Sequence, residues 1–325
     1  MEYNKVSKKK WEEIILKSDD ACFYHSPLWA KILEKTYGFR DSTQFFEVNG
    51  KEILVPMMKR RQFGFNFLSS MPFGYGGFFS ESSINSDDIK SLINEIIGGR
   101  NLIFNFKLSN FSNLPLDFGN SSIIEIKDSW DNSHILPVAK DFGYIWTNKF
   151  KKKTRGAIRK AVNNKLKIRK GDSLDDFKVF YDIYIKASQK WGYENPEYPC
   201  DLYKNMYKYG SKYVNLYLAT KDDETIAGFI TFNFGKSVIP WASVFLNEYG
   251  TFNPTSLLYC HIIKKACNDG FKYVDFGESG NLNRVKKFKE SFGAEIVKIN
   301  RFRAFSMMGR FALNFHEIAT SIRAK

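Results

Sequence analysis

The chain is poor in the residues that build metal and redox sites. Its 325 residues include four cysteines (Cys22, Cys200, Cys260, Cys267) and four histidines (His25, His134, His261, His316). None form a CxxC pair or a cysteine–histidine ligand spacing, which argues against a zinc ribbon, a disulfide framework and a dithiol redox motif. The thiols read as reduced, and no metal is assigned. Long apolar runs are missing too, since none approaches the roughly 20 residues that span a bilayer. Met1 to Lys17 is charged and holds no apolar segment resembling a signal peptide. A cytoplasmic location is therefore expected.

What is abundant is aromatic and basic. The chain has 31 Phe, 17 Tyr and a formal net charge of +14. Residues 1–150 contain 18 basic and 18 acidic side chains, so the whole excess lies in 151–325. Within that half, Lys151 to Lys170 carries ten Lys and Arg and no acid. A solvated helix face is normally interspersed with Glu and Asp, whereas an unrelieved basic run attracts a polyanion.

The length fits two domains of about 150 residues. Ser26 and Pro27 predict a helix start, with the helix running to Lys35. Gln44–Val48 and Ile53–Met58 flank Asn49-Gly50, a tight hairpin turn. A helix over Asp87–Ile97 and strands over Leu102–Lys107 and Ser122–Lys127 follow. The second half reads as helices Leu174–Lys190 and Asp201–Tyr209, then strands Val214–Ala219, Thr225–Asn233 and Ser237–Phe245. Helix Thr255–Asn268, strand Tyr273–Phe276, a short helix near Asn283–Ser291 and strand Ala294–Ile299 complete it. Each half thus runs helix, antiparallel strands, helix, strand, loop, strand. This order predicts an α/β (α+β) fold of two tandem units with mixed, largely antiparallel sheets. The expected divisions are 1–150, 151–302 with a basic junction helix at 151–170, and an amphipathic helix at 303–325. That last helix packs on the second domain or touches membrane through its arginines.

Two motifs fail on context. Asp275-Phe276-Gly277 spells a kinase triplet, but no glycine-rich ATP loop precedes it. The glycines of Pro72–Gly77 are not followed by GK[ST], so tight backbone packing is expected there. The segment NEYGTFNPTS at 247–256 stands where an acyl-CoA-binding loop is expected, with one glycine and no basic residue. It lacks the amide cradle that a pyrophosphate needs.

Three segments resemble the FemAB and FemX family of GNAT-like aminoacyltransferases: SPLWAKIL at 26–33, KKKTRGAIRKAVNNKLKIRKG at 151–171 and DGFKYVDFGESGNLNRVKKFKESFGAE at 269–295. The resemblance implies two GNAT-like domains with a cleft between them. It further implies transfer of an acyl group, commonly aminoacyl from tRNA, to an amine on a large anionic acceptor such as a peptidoglycan precursor. Substrate binding would fall to Trp29 and Lys31 and to Arg155, Arg159 and Lys160, with Lys31 and Lys160 on phosphates. Lys289, after Phe288, would stabilise the oxyanion, and Glu278 is the nearest acid for a general base. In the first domain Lys107 occupies the position of a family acid, and 171–212 lacks the coiled-coil arm of the staphylococcal type. The donor stays open between aminoacyl-tRNA and acyl-CoA, and no bound cofactor is expected. A polysaccharide-directed acyl-CoA enzyme and a non-catalytic RNA- or membrane-binding protein remain alternatives; DNA is not an expected partner.

Overall fold

The structure, a computed structural model, describes all residues except 1–5, 63, 98–99, 113, 115–123, 128–131, 211, 281 and 312–325. In chain order it holds α1 (Lys8–Lys17), α2 (Pro27–Tyr37), β1 (Arg40–Asp41), β2 (Gln44–Val48), β3 (Lys51–Val55), β4 (Met58–Gln62), β5 (Phe65–Ser69), α3 (Ser86–Ile96), β6 (Asn101–Lys107) and β7 (Ile124–Lys127). Then come β8 (Asn132–Pro137), α4 (Phe142–Tyr144) continued by a π turn at Ile145–Lys149, α5 (Lys152–Asn163), β9 (Lys167–Gly171), α6 (Leu174–Lys190) and α7 (Cys200–Gly210). The rest is β10 (Val214–Lys221), β11 (Glu224–Phe234), β12 (Ser237–Phe245), a 3-10 turn at Asn247–Phe252, α8 (Pro254–Asn268), β13 (Tyr273–Glu278), α9 (Asn283–Glu290), β14 (Glu295–Lys298) and β15 (Arg301–Phe305).

Two compact units result: Met1–Ser129 with Ile299–Lys325, and Trp130–Lys298. The first contains a sheet ordered β1-β4-β5-β6-β15-β7, and the second a sheet ordered β14-β8-β13-β12-β11-β10-β9. Each sheet has one parallel pair, β5 with β6 and β12 with β13, and is otherwise antiparallel. A helix crosses between the strands of each parallel pair, α3 in the first unit and α8 in the second. The tandem mixed-sheet plan is thus present. In both units the strand beside the second parallel strand comes from the far end of the neighbouring segment, β15 in the first and β8 in the second. This exchange moves the unit boundaries away from 150 and 302.

Local chemistry explains the elements. Ser26 Oγ accepts from the Trp29 N–H and Pro27 opens α2, which closes at Gly38 with φ 71°. Asn49 and Gly50 take φ of 51° and 72°, the positive values of a two-residue hairpin turn. Pro56 ends the second hairpin strand at Val55, so Met58 begins a different strand. The glycines of 71–77 serve packing, as expected: a Cβ on Gly74 would fall 2.3 Å from Tyr24 Cγ, and one on Gly76 2.2 Å from the Ser70 hydroxyl.

Two expected helices change. The basic run is helical only over Lys152–Asn163; Lys165 takes φ 59°, and Lys167–Gly171 becomes an edge strand beside β10. Lysine on an edge strand discourages pairing with another chain. Residues 303–305 belong to β15, inserted between β6 and β7, because Phe302, Ala304 and Phe305 fill the first core. A helical turn follows at 307–311, and the rest of the expected amphipathic helix lies outside the described residues, as do positions 122–123 of the expected strand. Among the described residues no helix is long and apolar enough to cross a membrane.

Candidate active site

The two parallel pairs differ where it matters. In the first unit β5 and β6 stay paired from Asn66 to Ser69, and the glycine loop closes the far end, with the Gly76 N–H on the Lys107 carbonyl at 2.6 Å. In the second unit β12 and β13 pair at only two positions, Ser237 with Tyr273 and Val238 with Val274. Beyond them β12 follows β11 and β13 follows β8, so the sheet opens between its central strands. Such an opening leaves backbone polar groups available to a ligand. Ser243 on β12 and Ser279 after β13 each have an enclosed hydroxyl with no hydrogen-bond partner among the described residues.

At the end of β13 the register with β8 slips between Asp275 and Glu278. Asp275, fully buried, accepts from the Ser133 hydroxyl at 2.7 Å and from the Gly277 N–H at 2.8 Å, which pins the bulge. Gly277 has φ 69°, a value that L residues rarely adopt. This turn directs two carbonyls at one side chain. The Lys289 ammonium donates to the Gly277 oxygen at 2.8 Å and to the Glu278 oxygen at 2.6 Å. Lys289 is 4% exposed, whereas Lys287 of the same run is exposed and Lys286 half-exposed. It is therefore not one more surface lysine.

The helix that carries Lys289 is fixed at its carboxyl end. Phe288 packs edge-on against Tyr259 at 5.4 Å and Phe292 at 5.2 Å, so it positions the helix. Past the helix end, the Ser291 carbonyl accepts from the Lys151 N–H at 2.9 Å and from the Thr154 hydroxyl at 3.0 Å. The amino end of α5 thus meets the carboxyl end of α9, a favourable dipole arrangement. Glu278 is half-buried and contributes its backbone oxygen.

The basic run divides into different roles. Arg155 turns inward, and one guanidinium nitrogen donates to the carbonyls of Trp146 and Thr147 at 3.2 Å each and to that of Phe150. It caps the π turn that precedes α5. Arg159 and Lys160 are exposed, with Arg159 over the Trp146 ring at 5.9 Å. In the first unit, Lys31 is half-buried and pairs with Glu34 at 3.7 Å. Trp29 is wholly buried and donates to the Pro72 carbonyl at 3.2 Å, so it supports the helix that bears Lys31 from the core. Lys107 lies over the Tyr75 ring at 4.7 Å.

His134 was not legible in the sequence, where a lone histidine in a strand carries no signal. It is fully buried, with both ring nitrogens unpartnered among the described residues and Glu290 Oε1 3.9 Å away. Burial first, and the nearby Lys289 charge second, lower its pKa and favour the neutral ring. At 247–252 the expected loop is a 3-10 turn. The Tyr249 N–H is spent on Leu246 at 2.9 Å, and the Asn253 N–H on Gly250 at 3.1 Å.

Residues 148–290 match the Acetyltransferase (GNAT) domain family. The matched residues lie within the second unit, which has a GNAT-like fold. The whole chain is similar in fold to FemX, at 13% identity over 96% of this chain and 99% of that one, with a TM-score of 0.75. It is also similar to a Bacteroides thetaiotaomicron protein of unknown function, at 10% identity over 94% and 100% of the two chains and a TM-score of 0.63. A third likeness is to the C-terminal domain (DUF2156) of an Agrobacterium fabrum protein described as a lysylphosphatidylglycerol synthetase, at 10% identity over 94% of both chains and a TM-score of 0.59. A comparison with curated proteins gives no match. The fold is therefore FemX-like: two tandem GNAT-like units, one with its central strands parted.

Proposed function

We propose that the protein transfers an aminoacyl group from tRNA to an amine on an anionic, nucleotide- or lipid-linked envelope precursor, forming an amide. The observation that carries this reading is the buried Lys289 ammonium, held by two carbonyls beside the opening of the second sheet. When the amine nitrogen attacks the acyl carbon, the carbonyl electron pair moves to oxygen. A fixed cation in a dry site stabilises that oxyanion far more than water does, by roughly 3–4 kcal/mol for a well-placed group. As the intermediate collapses, the C–O bond to the donor breaks, one proton of the added nitrogen passes to the departing oxygen, and the amide is left. The exposed Arg159 and Lys160 suit a polyanionic substrate, and Lys31 suits a phosphate as a point charge. The closed turn at 247–252 argues against a CoA pyrophosphate cradle, because the Tyr249 and Asn253 amides are used within it and the segment carries no basic residue.

A second reading, transfer from acyl-CoA, is favoured by the family match itself. Incubating the protein with a nucleotide-linked muropeptide and either aminoacyl-tRNA or acetyl-CoA, with mass spectrometry of the product, separates the two. An aminoacylated acceptor is expected. A product formed from acetyl-CoA alone would overturn the tRNA reading.

A further inference from the structure

We infer that an aromatic wall beside the parted strand β12 binds an aliphatic ammonium group, and that it recruits the acceptor amine. The role as an acceptor subsite rests on the proposed acyl transfer; ammonium binding does not. The wall starts at Trp241, the extra residue where the β11–β12 register slips: Ile230 opposes Ala242 and Thr231 opposes Pro240, leaving Trp241 out of step. A bulge of this kind re-aims a side chain next to a site. The Trp241 ring stacks on Phe232 at 5.5 Å and meets Tyr198 at 5.0 Å and Tyr203 at 6.0 Å. From Tyr203 the contacts continue to Tyr184 at 5.9 Å and on to Trp191 at 6.3 Å. Trp191, 55% exposed, is the outer end of this row, in which Tyr184 and Tyr203 are buried.

Charge indicates what it receives. Residues 191–201 hold Glu194, Glu197 and Asp201 and no basic residue; Asp201 pairs with Lys204 at 3.0 Å, so Glu194 and Glu197 supply the local negative charge in a chain whose net charge is +14. Glu197 adjoins the Tyr184 hydroxyl, which contacts the Glu197 and Tyr198 backbone. Aromatic faces with a carboxylate beside them attract cations; each cation–π contact contributes about 0.5–2 kcal/mol. An aliphatic amine is protonated at neutral pH, with an ordinary pKa of about 10.4. The net charge of this protein repels it, so local attraction must bring it in. The wall supplies that attraction on β12, along the strand that carries Ser243.

The test uses Nα-acetyl-lysine amide and an uncharged analogue in which a methyl group replaces the ammonium, Nα-acetyl-2-aminoheptanoic amide. Both are titrated into the full-length protein at pH 7 while the six tryptophan indole N–H signals are followed by NMR. The lysine amide should move the Trp191 and Trp241 signals and bind about 3- to 30-fold more tightly than the analogue. Trp191→Ala and Glu197→Gln, both at exposed positions, should each weaken it about threefold or more. Equal affinity for the two probes, unmoved indole signals or indifference to Trp191→Ala would each overturn the inference. Lys289→Ala should bind the lysine amide as before while losing turnover. Should no donor give turnover while the lysine amide still binds through Trp191, the wall stands and the transferase reading falls.

Discussion

The Lys289 ammonium reaches back twelve residues to the Gly277 carbonyl at 2.8 Å and to that of Glu278 at 2.6 Å. That contact joins the end of the parted strand to the helix following it, and it buries a cation among backbone oxygens. A buried ammonium costs desolvation unless it is well partnered. The cost is accepted here at the place where the acyl-transfer reading needs a positive charge.

Replacing Lys289 therefore tests chemistry directly. Lys289→Ala should lower kcat by roughly 10²- to 10³-fold with little change in acceptor KM, because the charge acts mainly in the transition state. Lys286→Ala and Lys287→Ala should leave kcat within about threefold. Steady-state kinetics on the three variants, with thermal melts to check folding, decide the matter. Equal small losses would remove any special role for Lys289.

Lys31 should behave in the opposite sense. A phosphate contact is present in ground and transition states alike, so Lys31→Ala should raise the acceptor KM several-fold at nearly constant kcat. An unchanged KM would show that Lys31 serves only its 3.7 Å pair with Glu34.

The basic run should split into two phenotypes. Arg155→Ala leaves three backbone carbonyls of the preceding turn without their donor and should cost about 1–3 kcal/mol in urea denaturation. Arg159→Ala and Lys160→Ala should leave stability within about 0.5 kcal/mol. Together they should weaken binding to RNA and flatten its salt dependence by about one unit of slope per lost phosphate contact. Similar stability losses for all three would contradict the division.

Acid stability should depend on His25. Its ring is fully buried and its Nδ1 accepts from the Cys22 N–H at 2.9 Å. Burial lowers its pKa from 6.5 to about 4. Below pH 6.5 the unfolded chain takes up a proton that the folded protein refuses. Stability should therefore fall from pH 6.5 towards pH 4, by up to roughly 3 kcal/mol for a shift of that size. Urea midpoints across this range should show a shallower slope in His25→Asn. An unchanged slope would assign the acid sensitivity elsewhere.

Much of the fold was legible because its signals are local. Ser26-Pro27 marks a helix start, Asn49-Gly50 a hairpin, and α6 and β12 have the boundaries that their apolar patterns predict. The short strands β4 and β5 escaped, since Met58–Gln62 is mostly charged and β5 has no alternation. Residues 303–305 read as helix because apolar spacing cannot reveal a strand inserted from a distant part of the chain. For the site, the FemX-like F-K segment pointed to Lys289, while Arg155 looked like any other member of a basic run. Only packing turned Arg155 onto carbonyls, buried Trp29 and enclosed His134.

The sequence by itself determined the duplicated α/β plan, the basic excess in the second half and the helix and turn positions, because caps, turns and periodicity act between residues close in the chain. Tertiary structure decided which of the two parallel strand pairs parts and which lysine is buried. Both depend on contacts between segments far apart in sequence: β12 leaves β13 after two paired residues, and the carbonyls that hold Lys289 face it only because Asp275 fixes the bulge through Ser133, 142 residues away.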